Sequence, residues 1–119
     1  MEKILIVDDS LLQATQIRAI LDNEYDITVV QTAEEGLSRV STEDYSLILL
    51  DVVMPGMDGF TLLKKLQEEI RTQSIPVILI TSLSDVTDEE YGLILGAVDY
   101  ITKPFNPVIV RARVNTHIK

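Results

Sequence analysis

Leu47-Ile48-Leu49-Leu50-Asp51-Val52-Val53-Met54-Pro55-Gly56-Met57-Asp58-Gly59 is the stretch that decides the fold, because an unbroken apolar run leads directly into an acid and a turn. Four large apolar residues in succession are typical of a strand that is buried on both faces, as the strands of parallel sheets are. The Pro-Gly pair then ends the strand in a loop. A carboxylate at this junction, that of Asp51, would be held rigidly and still be reachable by a ligand.

The size and charge of the chain narrow the classes of protein that it can be. With 119 residues, 46% of them hydrophobic, we expect one domain with one core. Nineteen acidic and ten basic residues give a net charge of -9, which disfavours direct binding to nucleic acid or to anionic membranes. The absence of cysteine excludes thiol nucleophiles and zinc-thiolate sites. Because the apolar runs are too short to cross a bilayer and no signal-peptide layout is present, we expect a soluble, cytoplasmic domain.

Strand-like and helix-like segments alternate five times along the chain. Besides residues 47–50, apolar runs lie at 3–7, 26–31, 77–80 and 99–102, the second of them weaker and therefore expected near a sheet edge. Helical patterns follow each run, and the third helix is predicted to bury one apolar face made of Phe60, Leu62, Leu63, Leu66 and Ile70. This alternation predicts an α/β fold, a doubly wound five-stranded parallel sheet with five helices.

Polar side chains stand where the predicted strands end. Ligands of doubly wound sheets bind beyond the carboxyl ends of the strands, so we expect Asp8, Asp9, Asp51, Thr81 and Lys103 to meet there. Three carboxylates in one place need a cation, and oxygen ligands suit a hard divalent ion, Mg²⁺ above all, with Mn²⁺ as the alternative. A metal, a lysine and a hydroxyl around one carboxylate indicate phosphoryl chemistry in which Asp51 is the nucleophile.

Four motifs together resemble the receiver domain of two-component response regulators: Ile6-Val7-Asp8-Asp9, Asp51-x-x-Met54-Pro55-Gly56-Met57-Asp58-Gly59, Thr81-Ser82 and Tyr100-Ile101-Thr102-Lys103-Pro104-Phe105. They follow in the order of the family, at the ends of the first, third, fourth and fifth strands. The resemblance spans the whole chain. It implies one receiver domain over residues 1–119, with flavodoxin-like strand order 2-1-3-4-5, which could be the N-terminal part of a longer regulator.

The resemblance implies that Asp51 takes a phosphoryl group from a phosphohistidine of a sensor kinase or phosphotransfer protein, in a Mg²⁺-dependent reaction. The receiver would catalyse its own phosphorylation and dephosphorylation without turning over a separate substrate. The ligands of the ion would be three acids and one main-chain carbonyl, those of Asp8, Asp9, Asp51 and Val53, with Asp8 acting mostly through water. The phosphoryl group would be bound by three further side chains, those of Lys103, Thr81 and Ser82.

The resemblance also implies a switch and a surface that responds to it. Thr81 would move toward the phosphoryl group, Tyr100 would turn inward behind it, and the face made by the fourth helix, fifth strand and fifth helix would change its partners, homodimerisation included. The family pattern predicts a cis Lys103-Pro104 peptide. Residues 105–118 are more similar to receivers that precede cyclic-di-nucleotide enzymes or lie within hybrid kinases than to those fused to DNA-binding domains. Whether a C-terminal output domain outside this chain is a partner is left open by the sequence.

The sequence departs from the family at positions around the predicted site. Ser82 stands where alanine or glycine is usual, and it is small enough to keep the site accessible while adding a hydrogen-bond donor. Val53 and Leu83 are apolar at positions that influence how water reaches the acyl phosphate in this family. Because aliphatic side chains position an attacking water poorly, we hypothesise slow self-dephosphorylation.

Other interpretations of the same residues remain open. Asp8, Asp9 and Ser10 could simply cap a helix, Asp58 is interpreted as a turn and cap outside the site, and His117 is expected on the surface. A Mg²⁺-dependent aspartyl-phosphate phosphohydrolase is a rival function, but haloacid-dehalogenase-like enzymes carry their nucleophile on the first strand. A receiver-like docking module that signals without phosphorylation is the other rival, although such domains tend to lose an acid or the lysine.

Overall fold

Five β-strands alternate with five α-helices in a computed structural model that describes residues 1–82 and 86–118. In chain order they are β1 (Lys3–Val7), α1 (Leu11–Leu21), β2 (Asp26–Val30), α2 (Ala33–Thr42), β3 (Leu47–Asp51), α3 (Gly59–Glu68), β4 (Val77–Ser82), α4 (Val86–Leu95), β5 (Asp99–Lys103) and α5 (Pro107–His117). The strands form one parallel sheet in the order β2-β1-β3-β4-β5, which confirms the predicted fold and places the weakly apolar β2 at an edge.

The sheet has a core on each face, because alternate residues of every buried strand point to opposite sides. On one face, Leu5, Val7, Ile48 and Leu50 pack with apolar residues of α2 and α3. On the other face, the intervening strand residues pack with α1 and α5, through residues such as Ile17. All five residues of β3 are buried, so the strand that ends in the central acid is the most enclosed part of the fold.

The strand register brings the polar strand ends to one edge of the sheet. Asp51 is level with Ile80 of β4, so Thr81 begins where β3 has just ended. In the next pair, Thr81 is level with Thr102, and Lys103 follows one residue later. The carboxyl ends of β1, β3, β4 and β5 therefore lie at the same edge, as expected for a doubly wound sheet.

Four helices begin at the capping residues that the sequence indicates. Ser10, Thr32, Asp58 and Asn106 each accept hydrogen bonds from backbone N–H groups two or three residues further on. Each such cap stabilises its helix by about 1 kcal/mol. Asp58 is thus a helix cap, as interpreted from the sequence.

The predicted apolar face of α3 is wrong at its C-terminal end. Leu62, Leu63 and Leu66 are buried, but the helix ends at Glu68 and Ile70 is 87% exposed. The buried hydroxyl of Thr72 donates to the carbonyl of Leu66 at 2.7 Å, which satisfies a group at the helix end and fixes the turn that follows. Among the described residues, no helix is long and apolar enough to cross a membrane.

Candidate functional site

Three acids from two strand ends meet at the carboxyl edge of the sheet. Asp8, Asp9 and Asp51 each offer a carboxylate oxygen, and these atoms lie within 4.8 Å of one another. The backbone N–H of Asp8 donates to the carbonyl of Val30 at 3.1 Å, and its side-chain Oδ1 accepts from the backbone N–H of Ser10 at 2.9 Å. Asp8 is fully buried while Asp9 is exposed, so the cluster is open to solvent on one side only.

The electrostatics of this cluster favour a bound cation. Burial raises the pKa of the Asp8 carboxyl to about 7, and the nearby Asp51 carboxylate adds to the rise, although the Ser10 N–H bond and the Lys103 ammonium oppose it. The second carboxylate oxygen of Asp8, Oδ2, is buried and makes no hydrogen bond within the described part of the chain. Oxygen ligands of this kind fit a hard divalent ion, which would supply the missing positive charge.

Asp51 is held at the centre of the site with one oxygen directed toward positive charge. Its side chain is 4% exposed, and Oδ1 accepts from the backbone N–H of Val53 at 3.3 Å. The same oxygen lies 3.7 Å from Nζ of Lys103, whose side chain is 28% exposed. The peptide bond that follows, Lys103-Pro104, is cis as predicted. Asp51 is therefore buried and fixed, yet approachable from the loop side.

The hydroxyl of Thr81 is the fifth polar group of the site, after the three acids and Lys103. Thr81 is 3% exposed, and its Oγ1 is buried without a hydrogen-bond partner among residues 1–82 and 86–118. Ser82 is exposed at the end of β4 and is level with Lys103 in the sheet register. A buried hydroxyl without a partner costs stability, so the hydroxyl of Thr81 is suited to forming a hydrogen bond with a ligand bound at the site.

The glycine at the start of α3 is a site residue whose importance was not recognised in the sequence. A Cβ on Gly59 would lie 2.3 Å from the carbonyl oxygen of Asp51 and 2.8 Å from Cα of Val52. The Gly59 N–H also donates to the carbonyl of Val52 at 3.0 Å. The helix N-terminus therefore rests directly on the backbone of the central acid. The Asp58-Gly59 pair indicated a turn, which gave no sign of this close approach.

Tyr100 is attached to α5 by a network that the sequence analysis missed. The guanidinium of Arg113 lies over its ring, 5.2 Å from the ring centroid, and donates to its carbonyl oxygen. Asp99 contacts both Arg113 and His117, whose Nε2 lies 3.1 Å from the carboxylate. His117 lies at the surface but is half-buried, with its side chain 24% exposed, and the contact of its ring with Asp99 of β5 was not predicted. The four-residue spacing of Arg113 and His117, which puts both on one helix face, was the available signal.

Of the two apolar positions that were linked to the lifetime of the acyl phosphate, the structure describes only Val53. Val53 is 69% exposed just after β3, beside the approach to Asp51. Leu83 lies outside the described residues. The N–H group of Val53 donates to Asp51, and the role of its main-chain carbonyl as a metal ligand stays a prediction.

The chain is similar to known proteins over nearly its whole length. The sequence profile of the response regulator receiver domain matches residues 4–115. The chain is 39% identical to the "Probable transcriptional regulator ycf27" of Porphyridium aerugineum over 99% of its length and 48% of the relative. It is 40% identical to "Response regulator PleD" of Caulobacter vibrioides over 96% of its length and 25% of the relative. The chain thus spans half or less of the length of these relatives.

A solved structure extends the comparison to three dimensions. The signal receiver domain of a signal transduction histidine kinase from Syntrophus aciditrophicus superposes with a TM-score of 0.90 at 38% identity, covering 99% of this chain and 90% of that one.

Proposed function

Because the chain belongs to the response regulator receiver family, we propose that it accepts a phosphoryl group on Asp51 and transmits the event through a change of its surface. One arrangement supports this proposal above all others. The buried carboxylate of Asp51 lies beside two further acids, the ammonium of Lys103 and a buried hydroxyl that has no partner in the described structure. Each of these groups has a part in phosphoryl transfer.

The proposed reaction moves one phosphoryl group between two side chains. A carboxylate oxygen of Asp51 attacks phosphorus, the N–P bond of the donor phosphohistidine breaks, and the imidazole nitrogen keeps the electron pair. The product is an acyl phosphate on Asp51. Lys103 is close enough to follow the phosphoryl oxygens, and the hydroxyl of Thr81 can donate to one of them, with Ser82 beside it as a second donor.

A divalent ion completes the charge balance of this reaction. We propose that Asp8, Asp9, Asp51 and the carbonyl of Val53 hold Mg²⁺, or Mn²⁺ in its place. The buried, unpaired oxygen of Asp8 and its raised pKa support a cation at this position. When bound, the ion neutralises charge on the phosphoryl oxygens.

The donor is proposed to be a protein, a sensor histidine kinase or a phosphotransfer protein. Exposed apolar side chains lie at the starts of α1 and α5, the helices that follow β1 and β5 at the carboxyl edge of the sheet: Leu11 is 60% exposed, Leu12 is 71% exposed and Val108 is 68% exposed. Two of them directly follow the Asp9-Ser10 pair. Exposed apolar side chains at this edge support contact with another macromolecule, as the approach of a protein phosphodonor to Asp51 would require.

The response is proposed to leave through the face formed by α4, β5 and α5, with Thr81 and Tyr100 as the switch residues. A homodimer through this face and a C-terminal output domain are the proposed recipients, and the greater length of the matched relatives supports the second. The chain has a net charge of -9, which disfavours direct contact with nucleic acid or anionic membranes, and the proposed location of this signalling domain is the cytoplasm.

Intact-mass analysis after incubation with Mg²⁺ and acetyl phosphate tests the proposal. We expect one phosphate adduct on the parent chain and on Asp58→Asn, whose carboxyl caps α3, and none on Asp51→Asn. A parent chain without an adduct, or equal labelling of Asp51→Asn, would refute phosphorylation of Asp51. The first of these results would favour the docking module that signals without phosphorylation.

Size-exclusion chromatography with Mg²⁺ and beryllofluoride, a phosphoryl mimic, tests the proposed output. A shift to the elution volume of a dimer is expected for the parent chain and not for Asp51→Asn. An unchanged volume for the parent would argue against homodimerisation and leave the output domain as the recipient.

A further inference from the structure

The start of β5 and the end of α5 are joined by a three-residue ion cluster that the phosphoryl site does not use. Oδ1 of Asp99 lies 3.7 Å from Arg113 Nη1, and Oδ2 lies 3.1 Å from His117 Nε2. The three side chains are 27%, 34% and 24% exposed, so the contacts are partly shielded from solvent. Partial shielding makes these contacts stronger than those of a fully exposed pair.

Arg113 connects this cluster to Tyr100 in two ways. Its guanidinium lies over the tyrosine ring, 5.2 Å from the centroid, where a cation is attracted to the π face. It also donates a hydrogen bond to the carbonyl oxygen of Tyr100. The carboxylate of Asp99 accepts from the Tyr100 N–H at 2.9 Å as well. Arg113 therefore contacts both the ring and the backbone of Tyr100, and Asp99 binds its backbone N–H and Arg113.

We propose that Asp99 and Arg113 are positioning residues for the switch, which hold the ring of Tyr100 against α5 and thereby set how readily the receiver adopts its phosphorylated conformation. The inference rests on the proposed function, in which Tyr100 turns inward behind Thr81. Neither residue touches the reacting atoms.

The physical argument is a population shift. The cation–π contact stabilises the ring position that the structure describes, and we expect an inward movement of the ring to break it. A contact made in only one of two conformations biases their equilibrium by its own free energy. Weakening that contact should therefore raise the population of the active conformation and the apparent affinity for a phosphoryl group.

His117 contributes by orienting the carboxylate. Its Nε2 is placed on Oδ2 of Asp99, which leaves Oδ1 directed to Arg113. Arg111 lies two residues before Arg113 on the same helix and is not among the residues that form the ion pairs with Asp99 or the hydrogen bond to Tyr100 described above. It is therefore a matched control for loss of one positive charge from α5.

The test is a titration of the Mg²⁺-loaded protein with beryllofluoride, followed by ¹⁹F NMR. Arg113→Gln and Asp99→Asn are expected to lower the half-saturating concentration about threefold to tenfold, with Arg111→Gln unchanged. Circular dichroism melting of each variant reports whether the fold is retained. Unchanged or weaker binding by folded Arg113→Gln and Asp99→Asn would overturn the inference.

A double substitution tests whether Arg113→Gln changes beryllofluoride binding through the ring of Tyr100. A merely structural role of Arg113 would not depend on that ring. In a Tyr100→Ala background, Arg113→Gln should leave the half-saturating concentration unchanged. An equal gain in both backgrounds would overturn the positioning role. A parent chain that gives no acyl phosphate overturns the proposed function itself, whereas a phosphorylated parent with unresponsive variants overturns only this inference.

Discussion

Nζ of Lys103 lies 3.7 Å from Oδ1 of Asp51, at ion-pair distance but farther than a direct charge-assisted hydrogen bond. The ammonium group therefore attracts a negatively charged phosphoryl group to the acceptor carboxylate without covering the oxygen that would react. The side chain of Lys103 is 28% exposed and that of Asp51 is 4% exposed, so the lysine is the more mobile member of the pair. It can follow a phosphoryl group as the new bond forms.

Replacing this lysine should separate phosphoryl binding from metal binding. Lys103→Met should slow formation of the Asp51 adduct by at least about tenfold, because a charged group directed at the phosphoryl oxygens is lost. Its Mg²⁺ affinity should be retained or increased, because a positive charge beside the acids is removed. Intact-mass time courses and Mg²⁺ titrations measure the two effects, with Lys64→Met on exposed α3 as the control. Normal labelling of Lys103→Met would contradict the proposed role.

The raised pKa of Asp8 predicts a pH dependence of stability in the metal-free protein. The folded state keeps a proton on Asp8 up to a pKa of about 7, whereas the unfolded chain releases it near the ordinary value of 3.8. This contribution to the free energy of unfolding is present below pH 3.8 and is lost as the pH rises through 7. Each unit of difference in pKa corresponds to about 1.4 kcal/mol, which gives a few kcal/mol at most.

Urea unfolding at several pH values in EDTA measures this dependence. The difference in unfolding free energy between Asp8→Asn and the parent should grow from pH 4 to pH 7 and then become constant, with Asp58→Asn showing no such trend. Mg²⁺ should stabilise the parent more at pH 8 than at pH 5. A difference that does not vary with pH would show that Asp8 is ionised in the folded protein.

The close approach of α3 to β3 predicts that two glycines of one loop respond differently to the same substitution. Gly59→Ala places a methyl group 2.3 Å from the carbonyl oxygen of Asp51, which should cost about 3 kcal/mol, at the upper end for an overpacked site. Gly56 has a φ of 74° and nothing within 4 Å of an added Cβ, so Gly56→Ala should cost about 1 kcal/mol. Urea unfolding ranks the two variants, and equal costs would argue against the contact.

Adduct formation gives a second, independent measurement on the same variants. Because α3 rests on the backbone of Asp51, Gly59→Ala should also slow labelling by acetyl phosphate under conditions where it is fully folded. Gly56→Ala should label like the parent.

The exposed valine after the acceptor predicts a long-lived acyl phosphate. Val53→Asn should shorten the half-life of the adduct several-fold, because an amide can orient an attacking water whereas an isopropyl group cannot. Decay of the adduct after removal of the donor, followed by intact mass, measures it, and Val53→Ile serves as the apolar control. A parent half-life of seconds that Val53→Asn leaves unchanged would contradict the hypothesis.

The fold and the acid cluster could be predicted because both depend on local sequence. Apolar runs fix the parallel sheet, and a parallel sheet brings the ends of its strands to one edge, so Asp8 and Asp51 had to be neighbours. Contacts between α5 and β5 depend instead on how a helix is rotated and docked on the sheet. The pairing of His117 with Asp99 could not be derived from spacing along one element. Ile70 was misplaced for a related reason, since its helix ends earlier than the apolar period suggests.

The position of β5 at the edge of the sheet has a mechanical consequence. It is bonded to β4 on one side only, and its five residues run from Asp99, which contacts Arg113 and His117, to Lys103 of the phosphoryl site. At a rise of about 3.3 Å per residue, β5 spans roughly 13 Å from Asp99 to Lys103. In the proposed switch, a displacement of β5 at Asp99 can reach Lys103 without moving a strand that is hydrogen-bonded on both sides. An edge strand, hydrogen-bonded on one side only, is therefore the element that joins the phosphoryl site to the outer face.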